Sequence, residues 1–164
     1  MFDLCRLLTA AALGLALAAC DNQRIAKLEE GVATEADVRR EFGEPAAVYA
    51  EDAGARTFEY PRQPEGRRNY MITIGADGKM SALRQVLTAE NFARVRNGMD
   101  QAQVRRLLGK PARAQAYPLK NEEVWDWRFL DGGQNRSFSV TFDAGGRVSA
   151  QAIGPDPADT QTGG

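Results

Sequence analysis

Apolar residues recur at every second position in two separate series along this chain. The first series is Phe58/Tyr60, then Tyr70/Ile72/Ile74, then Met80/Ala82. The second is Trp125/Trp127/Phe129, then Phe138/Val140/Phe142, then Val148/Ala150/Ala152. Alternation over this length predicts half-buried antiparallel strands. The last two strands of each series are joined by short glycine-bearing turns, GADGK around Gly78 and DAGGR around Gly146.

Ahead of each series the apolar spacing changes to that of a helix. Ile25 and Leu28, and again Phe92 and Val95, are spaced for one face of a helical turn. Gly31 and Gly98 follow, where a helix would stop in the left-handed conformation. A second helix comes next and is better punctuated. Asp100 is a good N-cap, Gln103 sits at the capping-box position, and Met99 and Val104 are placed for a hydrophobic staple. Val104, Leu107 and Leu108 share one face before Gly109 and Pro111 end the helix. Thr34, Asp37, Val38, Phe42, Gly43 and Pro45 repeat that arrangement upstream.

The two helix ends are nearly one phrase, VRREFGEP from Val38 and VRRLLGKP from Val104, offset by 104 − 38 = 66 positions. A period of this size marks a repeated structural unit. The chain therefore reads as a tandem repeat of α-α-β-β-β units, each a helix pair on a three-stranded antiparallel sheet, in the α+β class. The predicted units are 24–88 and 89–153, followed by a Pro/Gly-rich tail, 154–164, with the composition of a disordered segment. The polar stretch PRQPEGRRN, 61–69, reads as an exposed, mobile connection between strands.

The N-terminus limits what is left to fold. An apolar run from Leu7 to Ala19 is too short to span a bilayer and has the length of a signal-peptide core. It ends in Leu17-Ala18-Ala19-Cys20, which resembles the lipobox of bacterial lipoproteins; the other reading is an ordinary secretory signal that happens to contain a cysteine. The resemblance implies that residues 1–19 are removed, that Cys20 carries covalent lipid as the only non-protein group, and that 20–23 form a short tether. Of the two cysteines, Cys5 then leaves with the signal, so no disulfide is expected in the 164 − 19 = 145 residues that remain.

Composition narrows the function. A formal net charge of −1 argues against nucleic acid as a partner. The chain has 0 histidines, which removes the commonest general base, the usual triads and most transition-metal sites, so neither a metal nor an enzymatic activity is expected. Adjacent carboxylates in LEEG (Leu28–Gly31) and NEEV (Asn121–Val124) read as solvated charges, and DGGQN from Asp131 as a hairpin turn rather than a calcium loop. Trp125, Trp127 and Phe129 read as core before partner surface.

The repeated helix–stop–strand phrase, behind a lipobox, is similar to the SmpA/OmlA (BamE-like) lipoproteins. That family implies a helix pair on an antiparallel sheet and a role beside the machinery that assembles outer-membrane β-barrels. The tandem arrangement also resembles the β-lactamase-inhibitor-protein fold, in which two such units form a concave sheet. Two expectations follow: a non-catalytic envelope scaffold whose partner is the barrel-assembly complex, or a lipid-tethered module that binds or inhibits a periplasmic protein. The resemblance points to the outer membrane, while Asp21 after the cysteine resembles an inner-membrane retention signal. Within the phrase, Gly31, Gly43, Pro45, Gly98, Asp100, Gly109 and Pro111 are read as caps and stops. Arg39, Arg40, Arg105 and Arg106 are read as solvated, and are the candidate contacts to a partner or to anionic lipid headgroups.

Overall fold

A computed structural model describes residues 21–160 of the chain. The signal segment 1–19, the lipid-attachment candidate Cys20 and residues 161–164 lie outside the described residues. Residues 21–25 are helical. Then come α1 (Glu35–Phe42), β1 (Ala47–Ala50), β2 (Arg56–Pro61), β3 (Asn69–Ile74) and β4 (Met80–Gln85). The second unit runs α2 (Ala89–Arg94), α3 (Gln101–Leu108), β5 (Arg113–Tyr117), β6 (Glu122–Asp131), β7 (Gln134–Phe142) and β8 (Val148–Pro155). A last turn, α4, spans Pro157–Thr160.

The class is α+β, with two antiparallel meanders in the orders β1-β2-β3-β4 and β5-β6-β7-β8. Each sheet thus has four strands where the sequence pattern predicts three. The added strands, AVYA and RAQAY, are short edges. Each is only four or five residues long, holds two alanines and shows no clean apolar–polar alternation; pairing with β2 and β6 makes them strands.

The two units repeat in their hydrogen bonds as well as their letters. Thr34 and Asp100 each close a capping box, with Asp37 and Gln103 respectively. Gly31 N–H donates to Met80 O at 2.7 Å, and Gly98 N–H to Val148 O at 2.8 Å, which ties each interhelical turn to the start of the last strand. The preceding helices end earlier, at Ile25 and at the cap Val95, so these two glycines turn the chain and are not the helix caps expected. Gly43 and Gly109 cap α1 and α3 at φ +82° and +75°, a region open chiefly to glycine. Pro45 and Pro111 follow in the connections to β1 and β5. The DGG stretch is a tight hairpin, with Gly132 and Gly133 both at positive φ and Asp131 opposite Gln134.

Among the described residues there are two hydrophobic clusters. Val38 and Phe42 of α1 pack on Phe58, Tyr60, Tyr70, Ile72, Ile74 and Met80. In the second unit Phe92, Val95, Val104 and Leu108 pack on Trp127, Phe129, Phe138, Val140 and Phe142. Trp127 is fully buried and Trp125 packs against the same cluster, so this aromatic strip is core. Leu87, on the first-unit side of the sequence boundary, also belongs to the second cluster.

Two further expectations are corrected. Residues 154–160 are ordered, completing β8 and forming α4, because Asp156 is buried (1% exposed) between Arg67 at 3.1 Å and Arg128 at 2.7 Å. The 61–69 connection is likewise fastened to the second unit. Gln63 pairs with the Arg128 backbone in both directions, Nε2 donating to the carbonyl at 2.8 Å and Oε1 accepting from the N–H at 3.2 Å. Arg128 Nη1 also donates to Pro64 O at 2.9 Å. Composition alone shows a polar segment and conceals these partners.

Candidate functional site

On β2, Phe58 and Tyr60 point into the first core, so Glu59 between them emerges on the opposite face of the sheet. There it is fully buried, because the C-terminal end of α3 lies on top of it. Arg105 approaches with Nε at 3.1 Å and Nη2 at 3.3 Å. The Lys110 backbone N–H donates at 2.8 Å and the Tyr49 hydroxyl at 2.5 Å. Four donors on one carboxylate meet the requirement that a buried charge be paired and hydrogen-bonded. The Glu59 carboxylate holds the Arg105 pKa above its ordinary value, and burial of Tyr49, followed by its bond to Glu59, pushes that phenol up to about 12.

Asn69 completes the junction. Its amide donates to Leu108 O at 2.7 Å and to Lys110 O at 3.0 Å, satisfying carbonyls that a helix end leaves without partners. Gly109 sits under that amide: a Cβ there would meet Asn69 Nδ2 at 2.9 Å. The glycine is therefore required twice, by its positive φ and by the close approach of the first unit.

The four arginines of the repeated phrase do different things. Arg105 is only partly solvated, and it is the clamp on Glu59. Arg106 reaches Glu51 at 2.7 Å and lies over the Tyr49 ring at 4.8 Å, a second link between units. Arg39 stays within its own unit, bonded to Glu35 at 2.9 Å and to Glu44, with its guanidinium 4.9 Å from the Phe58 ring centre. Arg40 pairs with Asp37 at 2.6 Å and, at 66% side-chain exposure, remains the most accessible of the four. The paired-carboxylate stretches are engaged too: Glu30 accepts from Arg84 and from Leu83 N–H, and Glu123 from Gln101 and Trp125.

Sequence reasoning passed over Glu59 and Asn69. The available signal was an acid at the same repeat position in both units, Glu59 between Phe58 and Tyr60 and Asp126 between Trp125 and Trp127. Asp126 is buried as well, and accepts from Ser139 Oγ at 2.6 Å and Arg113 Nε at 3.0 Å within its own sheet. Among the described residues no group of three or more His, Cys, Asp or Glu could hold a metal ion. Among them, too, no helix is long and apolar enough to cross a membrane.

Residues 85–152, which carry α2, α3 and the whole β5–β7 sheet with most of β8, match the family model for the outer membrane protein assembly factor BamE domain. The second unit is thus similar to the BamE domain. The first unit lies outside the matched residues, yet it repeats the second unit's capping box, helix stop and strand order. No curated protein matches the chain in sequence. Among solved structures, the osmotically inducible lipoprotein OsmE aligns at 24% identity and TM-score 0.38, covering 47% of this chain and 81% of that one. A Streptococcus mutans protein described as a β-lactamase inhibitor protein aligns at 11% identity and TM-score 0.36, covering 83% and 96%. A DUF4309 family protein from Bacillus subtilis aligns at 19% identity and TM-score 0.31, covering 79% and 82%.

Proposed function

We propose that this protein is a non-catalytic envelope lipoprotein, held to a membrane by lipid on Cys20 and facing the periplasm, that serves as a scaffold in outer-membrane β-barrel assembly. The observation that carries the reading is the match of residues 85–152 to the BamE domain. The chemistry of the junction is consistent with it. The buried acid Glu59 is saturated by donors that fasten two folded units together, and the polar residues of the repeated phrase are occupied by caps and ion pairs. The design offers a rigid two-unit surface.

The outer membrane is the membrane in this reading. Asp21 bears on that point because its carboxylate accepts from Arg62 Nε at 3.2 and 3.3 Å and is mostly buried, so its charge is held within the fold. Affinity capture of the native lipoprotein from detergent-solubilised envelope tests the proposal. Recovery of the barrel-assembly complex is expected, and its absence beside stoichiometric recovery of a soluble periplasmic enzyme would replace the scaffold with an inhibitor module. Lipidation has its own assay. Cys20→Ala is expected to abolish incorporation of labelled palmitate and to leave soluble or uncleaved protein, since stable anchoring needs more than one acyl chain. Continued labelling of that variant would refute the lipid anchor without touching the scaffold reading.

A further inference from the structure

The two sheets end in equivalent edge strands, β4 and β8, that are protected differently. On β4 the outward N–H of Leu83 is capped by Glu30 Oε1 at 2.9 Å, and Arg84 beside it pairs with the same carboxylate. Leu83 faces Ile72 in the ladder, and Gln151 faces Val140 at the equivalent place, so the N–H and C=O of Gln151 also point outward. The residue corresponding to Glu30, one before the interhelical glycine, is Asn97. Among the described residues Asn97 bonds to nothing on β8.

Beyond Val148, which is covered by Gly98 and Met99, β8 is an open edge among the described residues. Residues 149–153 read Ser-Ala-Gln-Ala-Ile, all exposed and none charged. Natural sheets guard such edges with charge, proline or a covering segment. Among the described residues the guards stand only at the two ends: the register shift at Thr141/Phe142 and Pro155, which has no N–H to offer.

We propose that β8 pairs antiparallel with β8 of a second copy of this chain, joining two four-stranded sheets into one. The outward positions, Gln151 and Ile153, are symmetric about Ala152. A two-fold axis beside Ala152 sets Gln151 opposite Ile153 of the other copy, and each of the two such pairs exchanges both backbone hydrogen bonds. Ala152 meets its own symmetry mate with no charge and no bulk to separate the strands. The pairing also covers Ile153, an apolar side chain left 48% exposed in the single chain. β4 cannot do the same, because Glu30 already occupies its outward N–H.

Full-length chain in detergent provides the test. With the parent chain as the control for its own cysteines, Ala152→Cys should add a disulfide dimer on mild oxidation, since residues on the axis fall within reach of a disulfide. Ala150→Cys, on the same face, should not link, because the register sets the two copies of that residue about 13 Å apart along the strands at about 3.4 Å per residue. Linkage at both positions or at neither overturns the proposal. In sedimentation the wild type should be a dimer, Ala152→Lys and Ala152→Glu each a monomer, and their mixture a dimer again. A wild type that sediments as a monomer also overturns it, leaving the edge to a strand from another protein.

Discussion

Tyr60 and Trp127, 127 − 60 = 67 positions apart, hold down the two helix ends in the same way. Tyr60 Oη donates to Gly43 O at 3.0 Å and Trp127 Nε1 donates to Gly109 O at 2.9 Å. Each ring fills its unit's core while its polar tip satisfies a carbonyl exposed where the helix stops. Tyr60→Phe keeps the ring and removes only the donor, so it should cost about 1–3 kcal/mol, the penalty for stranding a buried acceptor. Trp127→Phe should cost more, because it also removes volume from the second cluster. Urea midpoints for the two variants measure both; equal losses would mean that the hydrogen bond, and not the indole's bulk, dominates.

Gly43 and Gly109 make a controlled pair. Both have positive φ, so alanine at either pays a left-handed strain of about 1–2 kcal/mol. An added Cβ meets nothing within 4 Å at Gly43, but meets the pinned Asn69 amide at 2.9 Å at Gly109. Gly109→Ala should therefore lower the melting temperature clearly more than Gly43→Ala. Replacing Asn69 with Ala should shrink the difference, since the obstructing amide is gone. If the two glycine variants melt alike, the helix end does not press on the first unit as described.

Much of this architecture was legible in the letters because it is local. Capping boxes at Thr34 and Asp100, the stops at Gly43 and Gly109, and the alternation from Phe58 to Ala152 are each written within a few residues of where they act. The edge strands β1 and β5 were not legible: AVYA and RAQAY become strands only by pairing with a neighbour. The inter-unit junction escaped for the same reason. Glu59 and Arg105 are 46 positions apart, and Arg105 looks like any outward-facing helical arginine until another sheet is placed beneath it. Asp156 sits in a run of prolines and small residues, and its role depends on two arginines brought from distant loops and strands.

That junction predicts cooperative unfolding of the two units. Removing one partner of a buried ion pair leaves the other charge uncompensated, which costs about 3–5 kcal/mol when both are fully buried. Arg105 is 37% exposed, so Arg105→Ala should cost less, about 2–3 kcal/mol after allowing for solvent screening. Arg40→Ala, with a mostly exposed side chain, should change stability by no more than about 0.5 kcal/mol. A Glu59→Gln/Arg105→Ala double-mutant cycle should return a favourable coupling. Calorimetry should show one transition in the wild type and a broadened or split one in the double variant; a split transition in the wild type would mean that the units melt independently.

On the acid side, Asp37 is the group to follow. The Thr34 backbone N–H, then the Thr34 hydroxyl, then Arg40 hold its carboxyl down at about 2. A depressed folded pKa contributes stability that is present above the unfolded value of about 3.9 and disappears as pH falls through about 2. Asp37→Asn should therefore flatten the loss of stability between those two values while leaving the alkaline limb unchanged. Thermal melts of both proteins along an acid series would read it, and parallel acid limbs would show that the capping box is not what titrates.

The alkaline limb belongs to the tyrosines. Burial pushes the Tyr60 phenol up to about 12, and burial followed by the bond to Glu59 does the same for Tyr49. An unfolded tyrosine ionises near about 10, so the folded state holds these two protons more tightly than the unfolded one. A raised folded pKa contributes stability that is whole below about pH 10 and is lost as pH rises through about 12. The wild type should thus lose stability steeply across that window, with a slope set by two protons. Tyr49→Phe and Tyr60→Phe should each remove about one proton from the slope, whatever they do to stability at neutral pH. Tyr49 offers the sharper test because it lies in the junction: its ionisation would place a phenolate against the Glu59 carboxylate, at a position now separated by a 2.5 Å hydrogen bond. The loss of stability between about pH 10 and 12 should accordingly be shallower in Tyr49→Phe than in the wild type, and an unchanged slope would remove Tyr49 from the clamp.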